Sequence, residues 1–284
     1  LASRWLQQQF VADATLARSG AQVLGEPAAG YLSHPGYAAL PKAPYRYQEM
    51  LGVIWRENPS CYLQEGEQAV LLAALMETDN AGRPLIDAWI SRSGLSADAW
   101  LEKLFEASVI PFYHLLCRYG VALIAHGQNV TLVMKDSIPQ RILLKDFQGD
   151  MRLVDEDFPQ AESLPKQVKA VTARLSADYI IHDLQTGNFV TVLRFISRLT
   201  LQSGVSETRF YQILAGVLHR YMAAHPELAE RFATFDLFKP QIIRVILNPV
   251  KLTFSEHDGG SRMLPNYVTD LDNPLFLASR ESAQ

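Results

Sequence analysis

The hydrophobic period of this chain changes abruptly at Gly120, and that change decides its fold class. From Ser96 to Gly120 the apolar residues Trp100, Leu104, Ala107, Phe112, Leu115 and Leu116 recur at helical spacing. Ser96 is a good N-cap, and Pro111 kinks the helix or begins a second segment. The pattern then shortens. Val121 to Ala125, Thr131 to Met134, Arg141 to Lys145 and Met151 to Val154 are extended stretches separated by Gly, Asn or Pro turns. This predicts a small antiparallel sheet. From Lys166 the helical period returns over Lys166 to Ala173, Ala177 to Ser203 with a break near Gly187, Ser206 to Ala224, and Pro240 to Leu247. Gly204 and Pro226 mark boundaries. A small sheet followed by a mostly helical C-terminal part reads as α+β.

The first ninety residues read as a mixed region with a sheet. Ser3 to Ser19 is an expected helix, with Trp5, Leu6, Phe10 and Leu16 near one stripe and Gly20 as its stop. Gly25 to Pro44 reads as loop and Met50 to Trp55 as a strand. Ala69 to Glu77 is a second apolar run, and the turn Asp79-Asn80-Ala81-Gly82 would return Ile86 to Ser91 against it as a hairpin. The expected division is a mixed α/β linking region over 1–95, then the small sheet and a helical bundle over 96–284. Glu281 to Gln284 is expected to fray.

Composition excludes several classes. With 26 Lys plus Arg against 30 Asp plus Glu the net charge is −4, which argues against a basic nucleic-acid surface. No apolar run approaches the roughly 20 residues that span a bilayer. Two cysteines, Cys61 and Cys117, are too few for a disulfide scaffold or a four-cysteine cluster. The first ten residues do not resemble a signal peptide. The expectation is a cytoplasmic protein without nucleic-acid or membrane partners. The chain opens without Met inside an amphipathic helix, so an N-terminal half of the protein is expected to be missing.

The densest polar cluster lies at the strand ends: Ala125-His126-Gly127-Gln128-Asn129, then Lys145-Asp146-Phe147-Gln148-Gly149-Asp150-Met151-Arg152. Alternation along an extended segment puts His126 and Gln128 on one side. A histidine, an amide, an acid and two cations suit a carboxylate meeting a phosphate, with Asp146 holding magnesium. A satisfied sheet-end histidine and a solvated turn would carry the same residues. His114 is expected to be partly buried and satisfied. His182-Asp183 lacks further metal ligands nearby. His219, His225 and His257 read as surface residues. Phe189, Phe195, Phe210 and Tyr211 read as helical core, and Gly259-Gly260 as a tight turn.

GVALIAHGQN, with KDFQGDMRL some twenty residues later, resembles the hallmark of the NRPS-independent siderophore synthetases, the IucA/IucC family. YRYQEMLGVIWRENP, RLSADYIIHDLQTG, RFYQIL, FKPQIIRVILNPVKLTF and DGGSRMLPNY extend the resemblance over essentially the whole chain, which looks like a C-terminal half. The long C-terminal strings are similar to the aerobactin branch. The resemblance implies a cupped-hand architecture, of which this is a palm and thumb portion. It implies ATP- and Mg2+-dependent adenylation of a citryl carboxylate with release of diphosphate, then displacement of AMP by an amine, hydroxylamine or alcohol to form an amide or ester. It places His126 on the carboxylate substrate and acyl-adenylate, Gln128 and Asp146 by the nucleotide, and Lys251 on the carboxylate. Asn129, Lys145 and Arg152 match the motifs, as nucleotide-side (Asn129, Lys145) and carboxylate-side (Arg152) candidates. Arg56 and Glu57 are candidates to line the cleft.

The chemistry agrees with these residue types. Adenylation brings two anions together, and cations and magnesium offset their repulsion. An imidazole can steady an oxyanion or accept the nucleophile's proton. The implied partners are a citryl-hydroxamate and N6-acetyl-N6-hydroxylysine, the N-terminal portion as a second fragment, and a second copy in a homo-oligomer. Two features depart from the family. Ile124 stands where many relatives carry Glu, compatible with a half-built substrate. The ATP-contacting Ser, Thr, Arg and Lys of the fingers precede this chain, and no GxxxxGK[ST] replaces them, so an incomplete nucleotide site is expected. The alternatives are a synthetase of macrocyclic dihydroxamates from N-hydroxy-N-succinyl diamines, a ferric-siderophore-binding or reductase module, and a catalytically incomplete fragment.

Overall fold

Two small sheets, joined by two crossovers, organise the chain. The computed structural model describes residues 1–32, 34–39, 52–147, 149–246 and 266–281. Lys251, His257, Gly259-Gly260 and Gln148 lie outside these residues. One sheet has the order β1 (Gln22–Val23), β7 (Ile138–Leu144), β6 (Val130–Lys135), β4 (Glu67–Leu71). The other has the order β5 (Val121–Leu123), β8 (Met151–Val154), β9 (Arg174–Leu175). The four stretches expected to form one antiparallel sheet are therefore divided between two. β1 on β7 and β9 on β8 are parallel edges, so both sheets are mixed. The β6–β7 hairpin closes on Asp136 and Ser137, both at positive φ, which suits a two-residue turn matching strand twist.

Helices cover these sheets. The expected helix over Ser3 to Ser19 is two, α1 (Ala2–Ala12) and α2 (Ala14–Ser19). The Asp13 carboxylate makes the break by accepting the N–H groups of Thr15 and Leu16 at 2.8 and 3.0 Å, capping α2. Leu85–Ser93 forms α3, not the return strand of a hairpin: Ile86, Trp89 and Ile90 bury one stripe at i, i+3 and i+4. β4 pairs with β6 instead: the helical turn Leu72–Met76 separates it from the Asp79 turn, which closes only Thr78 on Pro84 before the helix begins. Ser96 caps α4 (Ala97–Ser108), and α5 (Ile110–Tyr119) begins at Pro111 as the sequence implies. α6 is Lys166–Val171.

Ala177 to Ser203 is a run of helical turns whose middle, Gln185–Leu193, is π-helical, around the expected break at Gly187. Ser206 caps α7 (Glu207–Ala224). Four expectations fail at this end and in the first loop. Gln241–Ile246 is a strand, β10, paired with β11 (Asn266–Asp272), because its β-branched residues fit a pleated surface better than a helix. The Gly25 to Pro44 stretch contains strand β2 (Ala28–Tyr31), paired with β3 (Gly52–Trp55). Phe195 is exposed, with the Arg194 guanidinium over its ring, while Phe189, Phe210 and Tyr211 are buried. His225 is half-buried, bonded to Glu227 at 2.9 Å and close to Thr15. Among the described residues no helix is long and apolar enough to cross a membrane.

Candidate functional site

The two motif loops are the two crossovers between the sheets. Residues 124–129 carry the chain from β5 in the second sheet to β6 in the first, and 145–150 carry it back from β7 to β8. They must therefore run side by side. The Ile124 N–H donates to Asp150 O at 3.0 Å at one end, and the Lys145 N–H to Asn129 O at 3.3 Å at the other. Two further contacts hold the first crossover. Asn188 of the π-helical stretch donates its amide to Ala125 O at 3.1 Å. Gly127 O accepts from Ala73 N–H at 3.0 Å, and a Cβ on Gly127 would stand 3.0 Å from Ala73 backbone atoms.

His126 and Gln128 do not lie on an extended segment. The Asn129 N–H closes a turn onto His126 O at 2.9 Å, which leaves Gln128 exposed and His126 about one-third exposed at the crossover surface. Asn129 is buried and donates its side-chain amide to Asp150 Oδ2 at 2.6 Å; His126 Nε2 is 3.8 Å from the same oxygen. Burial raises the Asp150 carboxyl above its ordinary range against the Asn129 hydrogen bond, and the Asp146 charge adds to the rise. An imidazole, an amide and a carboxylate thus converge, but the amide is Asn129 and the acid Asp150, where the sequence pointed to Gln128 and Asp146.

A second cluster lies at the end of β7. Asp146 sits at φ 69°, a left-handed conformation that Asp tolerates better than most residues. Its carboxylate is 3.6 Å from Arg56, and Lys145 is adjacent. Burial first, then the Arg56 charge, lowers the Lys145 ammonium's proton affinity, with Asp146 opposing. Arg56 also binds Glu26, at 3.1 Å through Nε and 2.8 Å through Nη2. Glu57 faces away from Asp146. It accepts from Gly25 N–H at 2.6 Å and from the Tyr62 hydroxyl, which hold its carboxyl below the usual range. The Arg152 guanidinium is turned onto its own loop, donating to the carbonyls of Gly149 and Met151.

Glu26 and Asn188 were missed in the sequence, while Asp150 was quoted without a role and Asp183 was set aside with His182 for want of further ligands. Asp150 lies inside the KDFQGD string and could have been weighed with Asp146. Glu26 carries no local signal, being 120 positions from Asp146. Asp183 and Asn188 are buried beside the first crossover, and Asp183 Oδ2 and Asn188 Oδ1 have no hydrogen-bond partner among the described residues. Burial pushes the Asp183 carboxyl up to about 7. His182 Nε2 is 3.2 Å from Asp183 Oδ1, and burial lowers the imidazole's affinity for a proton.

The IucA/IucC family matches residues 1–77, and the family described as ferric iron reductase FhuF-like transporter matches residues 98–261. An aerobactin synthase of Escherichia coli is 68% identical over 281 residues, covering 99% of this chain and 48% of the relative. The solved aerobactin synthetase IucC from a hypervirulent Klebsiella pneumoniae superposes with a TM-score of 0.85 at 63% identity, over 99% of this chain and 48% of that one. An ATP-bound aerobactin synthetase IucA from the same source superposes at 0.70 over 96% of this chain and 47% of that one; at 17% identity it shows a shared fold alone. The chain spans about half the length of these relatives. By these matches the chain belongs to the IucA/IucC family, and its residues 98–261 match the FhuF-like family as well.

Proposed function

We propose that the chain is the C-terminal portion of an ATP-dependent, aerobactin-forming ligase. In this reading a free carboxylate of a citryl-monohydroxamate is adenylated and diphosphate leaves. N6-acetyl-N6-hydroxylysine then displaces AMP and an amide forms. One observation supports it most. In a chain 68% identical to an aerobactin synthase, the adjoining crossovers put His126 beside Asp150, and Asp146 beside Arg56 and Lys145. The first set is suited to a carboxylate and its oxyanion, the second to phosphates.

Asp146 suits magnesium, which takes oxygen donors and is held by one or two carboxylates plus nucleotide phosphates. Its carboxylate is 40% exposed, and among the described residues no group of three or more His, Cys, Asp or Glu could hold a metal alone. Bound there with ATP, the ion would neutralise charge on the leaving diphosphate. Lys145 and Arg56 would face the phosphates, with Gln128 and Asn129 on the nucleotide side. His126, held by the Asn129–Asp150 bond beside it, would donate to the carboxylate and then to the oxyanion of amide formation. Lys251 and Arg152 are the proposed cations for the substrate carboxylate.

The test is diphosphate release by the chain, alone and combined with the N-terminal half of the Escherichia coli relative. Release with the citryl-hydroxamate and N6-acetyl-N6-hydroxylysine, abolished by His126→Ala, is the expected result. Release only with an N-hydroxy-N-succinyl diamine would move the chain to the macrocyclic branch. No release with any pair would leave an incomplete fragment.

The FhuF-like match favours a second reading, binding or reduction of a ferric siderophore. Within this chain only Cys61, exposed, and Cys117, buried, are cysteines. Burial pushes the Cys117 thiol well above its usual range, which makes it a poor metal ligand. Charge-transfer absorption after reconstitution with iron and sulfide would support that reading.

A further inference from the structure

Glu26 reaches the site by strand register. β1 runs parallel to β7, with Gln22 opposite Leu143 and Val23 opposite Leu144, and Leu24 N–H donates to Leu144 O at 2.9 Å. Continued past both strands at the same offset, that pairing puts Gly25 opposite Asp146 and Glu26 one position further on, within reach of the Asp146 backbone. The Asp146 N–H donates to Glu26 Oε1 at 3.1 Å. The same oxygen accepts from Arg56 Nε and Nη2. Glu26 is only 12% exposed, so these three bonds face little competition from water.

A second rung fixes the position. Glu57 N–H donates to Gly25 O at 2.9 Å while the Glu57 carboxylate accepts from Gly25 N–H. A Cβ on Gly25 would stand 2.8 Å from the Glu57 carboxylate, so a side chain there would push that carboxylate off the Gly25 N–H. Residues 25–26 and 56–57 therefore clasp each other, and the clasp closes on the backbone of the proposed metal-holding residue. Arg56 is closer to Glu26, at 2.8 Å, than to Asp146, at 3.6 Å. Without the Glu26 charge, the nearest remaining anion for Arg56 is Asp146.

We propose that Glu26 is a positioning residue: it holds the Asp146 backbone in place and retains Arg56, so that the Asp146 carboxylate stays open to a divalent cation with its nucleotide. The proposal rests on the reading of Asp146 as the magnesium-holding residue. The experiment follows backbone amide signals of the 15N-labelled chain during titration with Mn2+ in the presence of ATP.

In the wild type, paramagnetic broadening is expected first at Lys145, Asp146 and Phe147. In Glu26→Gln the same broadening is expected to need about tenfold more Mn2+, as the two bonds from Arg56 lose the carboxylate's negative charge and Arg56 is freed toward Asp146. In the double variant E26Q/R56Q the requirement is expected to return to within about threefold of wild type, because the competing cation is gone. Hydrogen exchange at the Asp146 amide is the fold control. It is expected to stay protected in E26Q and to speed by about tenfold in Glu26→Ala. A brace of the fold alone would not produce recovery in the double variant. Absence of broadening near Asp146 in the wild type would overturn both the metal reading and this one. Equal broadening in wild type and E26Q, or no recovery in E26Q/R56Q, would overturn the Glu26 proposal and leave the metal reading intact.

Discussion

The Asn129 amide nitrogen lies 2.6 Å from Asp150 Oδ2, joining the two crossovers by a half-buried side-chain bond next to His126. Asp150→Asn keeps an oxygen that can accept from Asn129 but removes the negative charge, so the bond loses its charge assistance. Asp150→Asn is expected to lower diphosphate release by about tenfold, through displacement of His126. His126→Ala is expected to lower it by about a hundredfold or more, the usual scale for a group acting on the reacting atoms. Steady-state rates of the combined halves check both. An Asp150→Asn rate within twofold of wild type would remove Asp150 from the site.

Gly127 explains one letter of the AHGQN string. A methyl group there would meet the Ala73 backbone at 3.0 Å, on the same segment whose N–H bonds Gly127 O, so relief of the contact would strain the turn that carries His126. Gly127→Ala is expected to destabilise the chain by roughly 1–3 kcal/mol, as overpacking does. Activity should fall by more than the loss of folded protein explains. Urea melts run beside rate measurements separate the two. A loss of activity that tracks folded fraction alone would count against the positional explanation.

Asp183 gives a pH dependence with a defined sign. Its carboxyl is raised to about 7 by burial, opposed by Arg152 and assisted by Asp150; His182 is the remaining neighbour. An unfolded Asp loses its proton near pH 4. Between roughly pH 4 and 7 the folded chain therefore holds a proton that the unfolded chain does not. Stability is lost as pH rises through that window, by an amount on the order of 4 kcal/mol. Asp183→Asn is expected to remove this component, so its advantage over wild type grows from pH 5 to pH 8. Parallel urea midpoints for the two proteins across that range would refute the assignment.

Asp13 works in the opposite direction. Burial would raise its carboxyl, but the His114 bond at 3.1 Å and the N–H groups of Leu16 and Thr15 together hold it well below the usual range. The stabilisation is present above the ordinary carboxylate range and is lost as pH falls through and below it. Asp13→Ala removes a helix cap and leaves His114 and Tyr119 without that partner. The expected cost is about 3 kcal/mol, combining the cap with buried hydrogen bonds. Thermal melts at pH 7 and pH 3 should show the difference shrinking at the lower value.

Much of the chain was legible because the signals are local. The caps at Ser96 and Ser206, the start at Pro111, the stop at Gly120 and the strand character of Val121 to Val154 depend on neighbours within a turn or two. So did the polar strings that mark the crossovers, and with them the family. The failures share a cause. Ile86 to Ser91 and Pro240 to Leu247 are short apolar runs in which helix and strand periods cannot be separated by pattern, and tertiary pairing decided each case. The sequence by itself determined which residue types could meet a carboxylate and a phosphate. Only the tertiary structure decided that the four stretches divide between two sheets, so that His126 meets Asp150 across the crossovers. It also decided that Glu26 meets Asp146 across 120 positions, because parallel register is set by packing and leaves no mark in the local sequence.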